Sequence, residues 1–314
     1  MVDELAFTVA LRTIDFGDSN DEQGKPRWRS IGFDLDDRCT GEGEAPSCAA
    51  PAWPTLDLGD GPAGRDNALG AMTLDGNQFA SVSDLLSNDM AAGKDSLAIR
   101  VSSYNGLNDD DQLTVEVIGI RFGIGTPGWA GKDVWKPIAR FVVSNAVDPL
   151  RANYLDNSAY VKDRWLVANF AEVEIAVGLV LKGGVLVARI AQDSGGGWTL
   201  LDGTFGGIAS MPDLLGMGKY FGEEGKPPLL CPGFPLYETI FKPLVCKYAD
   251  IRYSLPLNDP SLPCDSASVG FDFAVMPAQV GTDVDDTEAD QKCAEQYAAL
   301  PPEGDTCDSL AMDR

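Results

Sequence analysis

Asp95–Ile124, DSLAIRVSSYNGLNDDDQLTVEVIGIRFGI, is the stretch that decides the fold class. Leu97, Ile99 and Val101 alternate with Ala98, Arg100 and Ser102, and Leu113, Val115 and Val117 alternate with Thr114 and Glu116. A period of two puts the apolar set on one face of a half-buried strand. Between the two runs lies Tyr104–Asp111, a turn crowded with oxygen ligands. Past Val117 the apolar parity switches to Ile118, Ile120 and Phe122, so a β-bulge is expected at Val117-Ile118-Gly119. The second strand of this pair would then serve two parts of the core.

Outward from this hairpin the chain keeps the same period. Strands are expected at Leu5–Leu11, Trp28–Leu35, Ile138–Val143, Tyr160–Phe170, Trp198–Ile208 and Ser268–Met276. Val173–Ile190 reads as a second hairpin turning at Lys182-Gly183-Gly184, because glycine tolerates the positive φ of a tight turn. Helices are expected over Gln78–Met90, Met211–Tyr220 and Tyr237–Tyr248, the last interrupted by Pro243. About ten strands with clean alternation predict a mainly β protein, an antiparallel two-sheet, jelly-roll-like β-sandwich. One domain would span 1–280, with a long loop at 36–70 and a helical insertion at 210–265. An acidic tail would occupy 281–314.

Charge and composition narrow the function classes. Of 314 residues, 48 are Asp or Glu against 24 Lys or Arg, a net charge of −24. Such a chain repels nucleic acid and anionic membrane surfaces, so neither is expected as a partner. No apolar run is long enough for a membrane span, so the chain is not expected to be a transmembrane protein. There is no histidine. That removes Ser-His-Asp and Cys-His catalysis and His-ligated metal sites.

Seven cysteines occur without any C-x-x-C. Their setting among turn residues predicts disulfides in an oxidising compartment. Cys39–Cys48 and Cys293–Cys307 are the pairs closest in sequence. Cys231, Cys246 and Cys264 would supply one further bridge, drawn as Cys246 with Cys264 but open in its pairing. The expected location is extracellular, periplasmic or on the outer surface, with a secretory or lipoprotein leader absent ahead of Met1.

Clustered acids suggest calcium, which takes six to eight oxygens from flexible loops. The candidate ligands are Asn105, Asn108, Asp109, Asp110 and Asp111 at the hairpin tip, Asp57, Asp60 and Asp66 in the long loop, and Asp15 and Asp18 after the first strand. A fourth acidic loop holds Asp283, Asp285, Asp286, Glu288 and Asp290. The competing use of such acids is to cap backbone amides in turns. Trp129 and Trp135, in a Gly- and Pro-rich loop, and Tyr104 are candidates to stack on a ligand, with a glycan or cell-envelope component as the expected partner. A non-enzymatic binding protein is therefore the leading expectation. A carboxylate-driven carbohydrate-active enzyme using Glu172, Glu174 and Glu116 is one alternative. Self-assembly through edge strands is another.

The segments IGFDLDDRCTG, GRDNALG, SYNGLNDDDQLTVEV, VCKYADI and SVGFDFAVMPAQVG together resemble uncharacterised secreted bacterial lipoproteins. The resemblance spans most of the chain and implies secretion but no activity. A looser likeness, to laminin-G and concanavalin-type jelly rolls, concerns architecture alone.

Overall fold

The computed structural model describes residues 4–51, 59–76, 81–147, 150–176, 179–193, 195–220, 230–253, 259–287 and 305–307. In chain order its strands are β1 (Leu5–Asp15), β2 (Ser96–Tyr104), β3 (Asp110–Arg121), β4 (Val134–Pro137), β5 (Val142–Val147), β6 (Leu150–Ala152), β7 (Tyr154–Lys162), β8 (Trp165–Ala176), β9 (Leu179–Gln192), β10 (Trp198–Ser210), β11 (Ser266–Pro277) and β12 (Gln279–Val280). The α-helices are α1 (Ala68–Gly76), α2 (Val82–Ala91), α3 (Met211–Gly216) and α4 (Lys242–Lys247).

The expected two-sheet sandwich is not what forms. Hydrogen-bonded neighbours run β3-β2-β1-β11-β10-β9-β8-β7, and β7 returns to pair with β3. The result is a closed, antiparallel, eight-stranded barrel, with β12 and β4 as an appendage on the β3 side. Alternation along each strand is the same in a sandwich and in a barrel. What separates them is the pairing of Asp110–Val117 with Tyr154–Val161, which has no local signature in the sequence. Closure pairs both edges of every barrel strand.

Cross-strand partners share a face, so the registers trace the barrel interior. Val9 lies opposite Ile99, and Ile99 opposite Val117. On the far side Phe205 lies between Leu186 and Phe271, and Leu186 faces Ala168. All seven are at most 2% exposed, so the interior is a packed core rather than a channel. Phe170, Phe205 and Phe271 stack in succession at 6.0 and 5.6 Å between ring centroids. Aromatic rings at that offset add to the burial of their area.

Several local expectations change in this context. The β2–β3 ladder runs without a break through Ile99↔Val117, Ala98↔Ile118 and Leu97↔Gly119, so no bulge sits there. The parity switch has another cause: β3 is buried on both faces from Val115 to Ile120. Its outer edge is shared, β7 pairing with the lower part and β4 with Ile120 and Arg121. Gly119 is needed where Phe141 packs, because a Cβ there would come within 2.4 Å of the ring.

Lys182-Gly183-Gly184 is no turn but lies inside β9, where Gly184 pairs with Phe170 and leaves room for the Val173 side chain. The chain reverses instead between Ala176 and Leu179, which pair with each other. Tyr160–Phe170 is two strands joined at Asp163 and Arg164, whose φ angles of 51° and 68° build the reversal without glycine. Trp28–Leu35 is a single 3-10 turn (Arg27–Ser30) followed by irregular chain, not a strand. α1 falls at the end of the stretch expected to be one long loop.

The disulfides also differ. Cys48 bonds Cys264 rather than Cys39, and Cys246 bonds Cys307 rather than Cys264 or Cys293. Cys39 is a free thiol, Cys231 is disulfide-bonded, and Cys293 lies outside the described residues. Proximity in sequence misled because these bridges staple one excursion of the chain to another, across separations of 216 and 61 residues.

Neighbouring barrel strands alternate in direction, so every connection belongs to one of two mouths. At one mouth the links are short: 105–109, 163–164 and 193–197. At the other emerge three long excursions, 16–95, 122–153 and 211–265. All four α-helices belong to these excursions and gather over this mouth.

Candidate functional site

The helices over the long-excursion mouth enclose a cavity of about 580 Å³. α1 contributes Leu69 and Met72, α2 contributes Val82, Leu86 and Met90, α3 contributes Leu214, and α4 contributes Leu244 and Val245. Ile14, Leu97, Ile175 and Leu179 from the strand ends complete the floor. Leu85, 46% exposed, marks where the cavity meets solvent.

Polar side chains hold this cap in place. Ser83 and Ser87 of α2 accept hydrogen bonds from the Phe16 and Ile14 amides, each at 3.0 Å, and so dock the helix on the end of β1. The Ser81 hydroxyl caps α2 by accepting from the Asp84 amide at 3.0 Å. Asp75 at the end of α1 accepts from Lys247 at 2.7 Å and from the Tyr248 hydroxyl at 2.6 Å, closing α1 onto α4. The Lys247 hydrogen bond, then that of Tyr248, holds the Asp75 carboxyl below its ordinary value, while burial and Asp75 push the Tyr248 phenol up.

Of the charged side chains lining the cavity, Lys94 is spent on Asp89 at 2.7 Å and Asp95 on Arg121 at 2.8 Å. Arg140 gives its Nε to Glu174 at 2.7 Å and lies over the Phe141 ring, 5.0 Å from its centroid.

A second constellation lies on the outside of the same end of the barrel. Here the first excursion runs back along β10 and β11. Gly32 meets Gly270, where an added Cβ would come 2.7 Å from the Gly32 Cα, and Phe33 packs on Gly206. Asn67, 1% exposed, fixes this layer by accepting from the amides of Gly70 at 3.0 Å and Gly270 at 2.9 Å. The layer brings Asp34, Asp36 and Asp66 together, with one carboxylate oxygen from each lying within 4.8 Å of the others. Asp36 and Asp66 are buried, at 7% and 4% exposure.

Burial, then the carboxylates of Asp250, Asp36 and Asp60, drives the Asp66 carboxyl far above its ordinary range. Burial likewise raises Asp34 and Asp36, and pushes the half-buried Asp250 up to about 7. Asp250 is held by the Ser268 amide and hydroxyl at 2.8 and 2.5 Å, and Ser268 in turn accepts from the Ala68 amide at 2.8 Å.

The residues singled out from sequence meet different fates. Among the long-loop candidates, Asp66 joins the cluster. Asp60 stands beside it, accepting from the Thr40 amide at 2.6 Å, and Asp57 lies outside the described residues. At the hairpin tip the oxygens are already engaged. Asp110 accepts from the Asn105 amide at 2.7 Å, Asn105 from the Leu107 amide at 2.8 Å, and Asn108 from Arg164 at 2.7 Å. Asp109 accepts from the Asp163 amide and from Lys162, both at 3.0 Å, and Asp111 is exposed.

Asp15 pairs with Arg27 at 2.6 Å, and Asp18 accepts from Ser81 and the Ser83 amide at the start of α2. In the fourth acidic loop Asp283 and Asp285 pair with Lys136 and Arg121, and Glu288 and Asp290 lie outside the described residues.

Trp129 and Trp135, expected to be exposed, are 8% and 1% exposed and pack against each other at 5.1 Å. Trp129 donates its indole N–H to the Ala91 carbonyl at 3.0 Å, and Tyr104 is buried edge-on against Trp198. Packed in this way, Trp129, Trp135 and Tyr104 offer no stacking platform. In the sequence Asp34 and Asp36 are masked by Phe33-Asp34-Leu35-Asp36, which alternates like a strand. Their Asp-x-Asp spacing was the available signal.

The chain matches no protein-family model, no curated protein and no solved structure.

Proposed function

We propose that this chain is a binding protein of an oxidising compartment, and that its capped mouth takes one small amphipathic molecule with an apolar body and a single acceptor head. The observation that carries this reading is the cavity of about 580 Å³. Small-molecule sites are concave, apolar and few per protein, and span roughly 300–1,000 Å³. The apolar body would lie against Leu69, Met72, Leu86, Leu179, Leu214 and Leu244. The head would reach Arg140, whose Nε donates to Glu174 at 2.7 Å.

Bridges between distant excursions, Cys48–Cys264 above all, support the compartment. The glycan reading loses the Trp129 and Trp135 platform on which it rested. The hydrolase reading is not favoured either, since Arg100 and Arg140 hold Glu116 and Glu174 at 2.5 and 2.7 Å. Among the described residues, barrel closure leaves the short β12 at the edge of the large sheet, which weakens assembly by strand addition.

Titration with the fluorescent apolar probe N-phenyl-1-naphthylamine, followed by displacement with a medium-chain fatty acid, tests the site. One saturable site, weakened roughly tenfold by Leu86→Trp through filling of the cavity, is the expected outcome. Binding that never saturates, or that Leu86→Trp leaves unchanged, contradicts it.

A further inference from the structure

We propose that Asp34, Asp36, Asp66 and Ser47 are the side-chain ligands of a calcium ion that pins the first excursion to the barrel. The inference stands apart from the cavity and needs no occupant there.

The first observation is the convergence itself. Three carboxylates from two turns of chain point at one spot within 4.8 Å, and two of them are buried. Like charges so placed repel strongly in a medium of low dielectric. Outside the three, Asp250 and Asp60 also act on Asp66, so the neighbourhood adds two carboxylates to the repulsion.

The second observation is independent of the acids. Ser47 is 2% exposed, its hydroxyl stands beside the Asp36 carboxylate, and it makes no hydrogen bond of acceptable geometry. A buried hydroxyl without a partner carries a desolvation cost that native structures rarely leave uncompensated. A cation between the carboxylates would use the Ser47 oxygen as a further ligand and neutralise the acids at once. Ser47 is not placed there by chance of loop conformation: its neighbour Cys48 is bonded to Cys264, and Ala49 donates to the Leu262 carbonyl and accepts from the Cys264 amide.

The donor chemistry selects the ion. Every contributing atom is oxygen, and no thiol belongs to the group. That disfavours zinc and softer metals. The ligands sit on irregular chain, with Gly64 close against Asp34, and such settings suit the flexible, higher coordination of calcium better than the rigid octahedron of magnesium. Backbone carbonyls and water would complete the shell.

The test is thermal unfolding of chelator-stripped full-length protein, with calcium chloride or magnesium chloride added, together with metal content after equilibrium dialysis. Calcium at a hundredfold excess over its dissociation constant should raise the Tm by roughly 5 °C, and magnesium should raise it less. Asp66→Asn keeps the acceptor for the Leu35 amide, which Asp66 holds at 2.7 Å, so the stripped variant should unfold within about 2 °C of the stripped parent. That variant should lose the calcium-induced rise and bind one calcium fewer per chain. Ser47→Ala should fold normally and bind calcium roughly tenfold more weakly. A calcium-induced rise of equal size in Asp66→Asn, no rise in the parent, or a larger rise with magnesium would overturn the assignment.

Discussion

The two mouths of the barrel carry loops of similar composition and use them in opposite ways. At the short-link mouth, Asn105–Asp111 packs its Asn and Asp oxygens onto amides and cations a few residues or one hairpin away: Asn105, Leu107, Lys162, Asp163 and Arg164. Asn105, Asn108, Asp109 and Asp110 each have a donor there, while Asp111 faces solvent. At the long-excursion mouth, Asp34, Asp36 and Asp66 come from segments some thirty residues apart and meet one another, although Asp34 and Asp36 also accept from the Arg38 amide and Asp66 from the Leu35 amide. Local geometry lets an Asx side chain satisfy itself. Convergence from a distance sets carboxylate against carboxylate even where each also accepts a backbone amide, and the excess negative charge becomes available to a ligand. Counting acids per loop therefore ranks the two regions in the wrong order.

Three perturbations sharpen this contrast. The largest effect is expected from removing Cys48–Cys264 by serine substitution at both positions. The bridge closes 216 residues and fixes the Ser47 side of the acidic centre, so unfolding stability should fall by about 2–5 kcal/mol in denaturant titrations. Serine at Cys39, a free thiol, should cost well under that and serves as the matched control. A result in which both variants lose the same amount would mean that the excursion is not anchored by this bridge.

Next in size is Gly270→Ala. Its new Cβ would come 2.7 Å from the Gly32 Cα, backbone against backbone, so the outer layer must lift. A loss of about 1–3 kcal/mol is expected, with a diminished calcium response because the layer carries Asp34 and Asp36. Retention of full stability and full calcium response would show that the layer need not touch β11.

The smallest effect belongs to Asp110→Asn at the tip. Asparagine keeps one acceptor for the Asn105 amide, so the cost should stay near ~0.5 kcal/mol, with the calcium-induced Tm shift unchanged. A lost shift would return the tip loop to candidacy as the calcium site.

Much of the strand inventory could be read from alternation. β1, β2, β10 and β11 fall close to their expected places, and α3 and α4 follow the apolar spacing, with Pro243 inside the first turn of α4 after a π-helical turn at Tyr237–Phe241. The errors share a cause. Lys182-Gly183-Gly184 looks like a turn because glycine permits one, yet in β9 the glycine leaves space for Val173. Asp163-Arg164 makes a real reversal with one turn-tolerant Asp and no glycine to mark it. Ile118 and Ile120 suggested a bulge because both faces of β3 are buried, which one strand cannot reveal. Trp129 and Trp135 sit between glycines and prolines in sequence but against each other in space.

What the residues dictate without a fold is the chemistry on offer: period-two strands, a surplus of 24 acids over bases, oxygen ligands in abundance and no imidazole. These follow from composition and from the pleat, which are local. Tertiary structure decided the rest: that β3 meets β7 to close a barrel, that Cys48 finds Cys264, and that Asp34, Asp36 and Asp66 share one spot while Asn105–Asp111 does not form another. Each of these depends on contacts between segments far apart in the chain. Their free energy comes from burial and closure of the whole molecule, not from the preference of any one stretch.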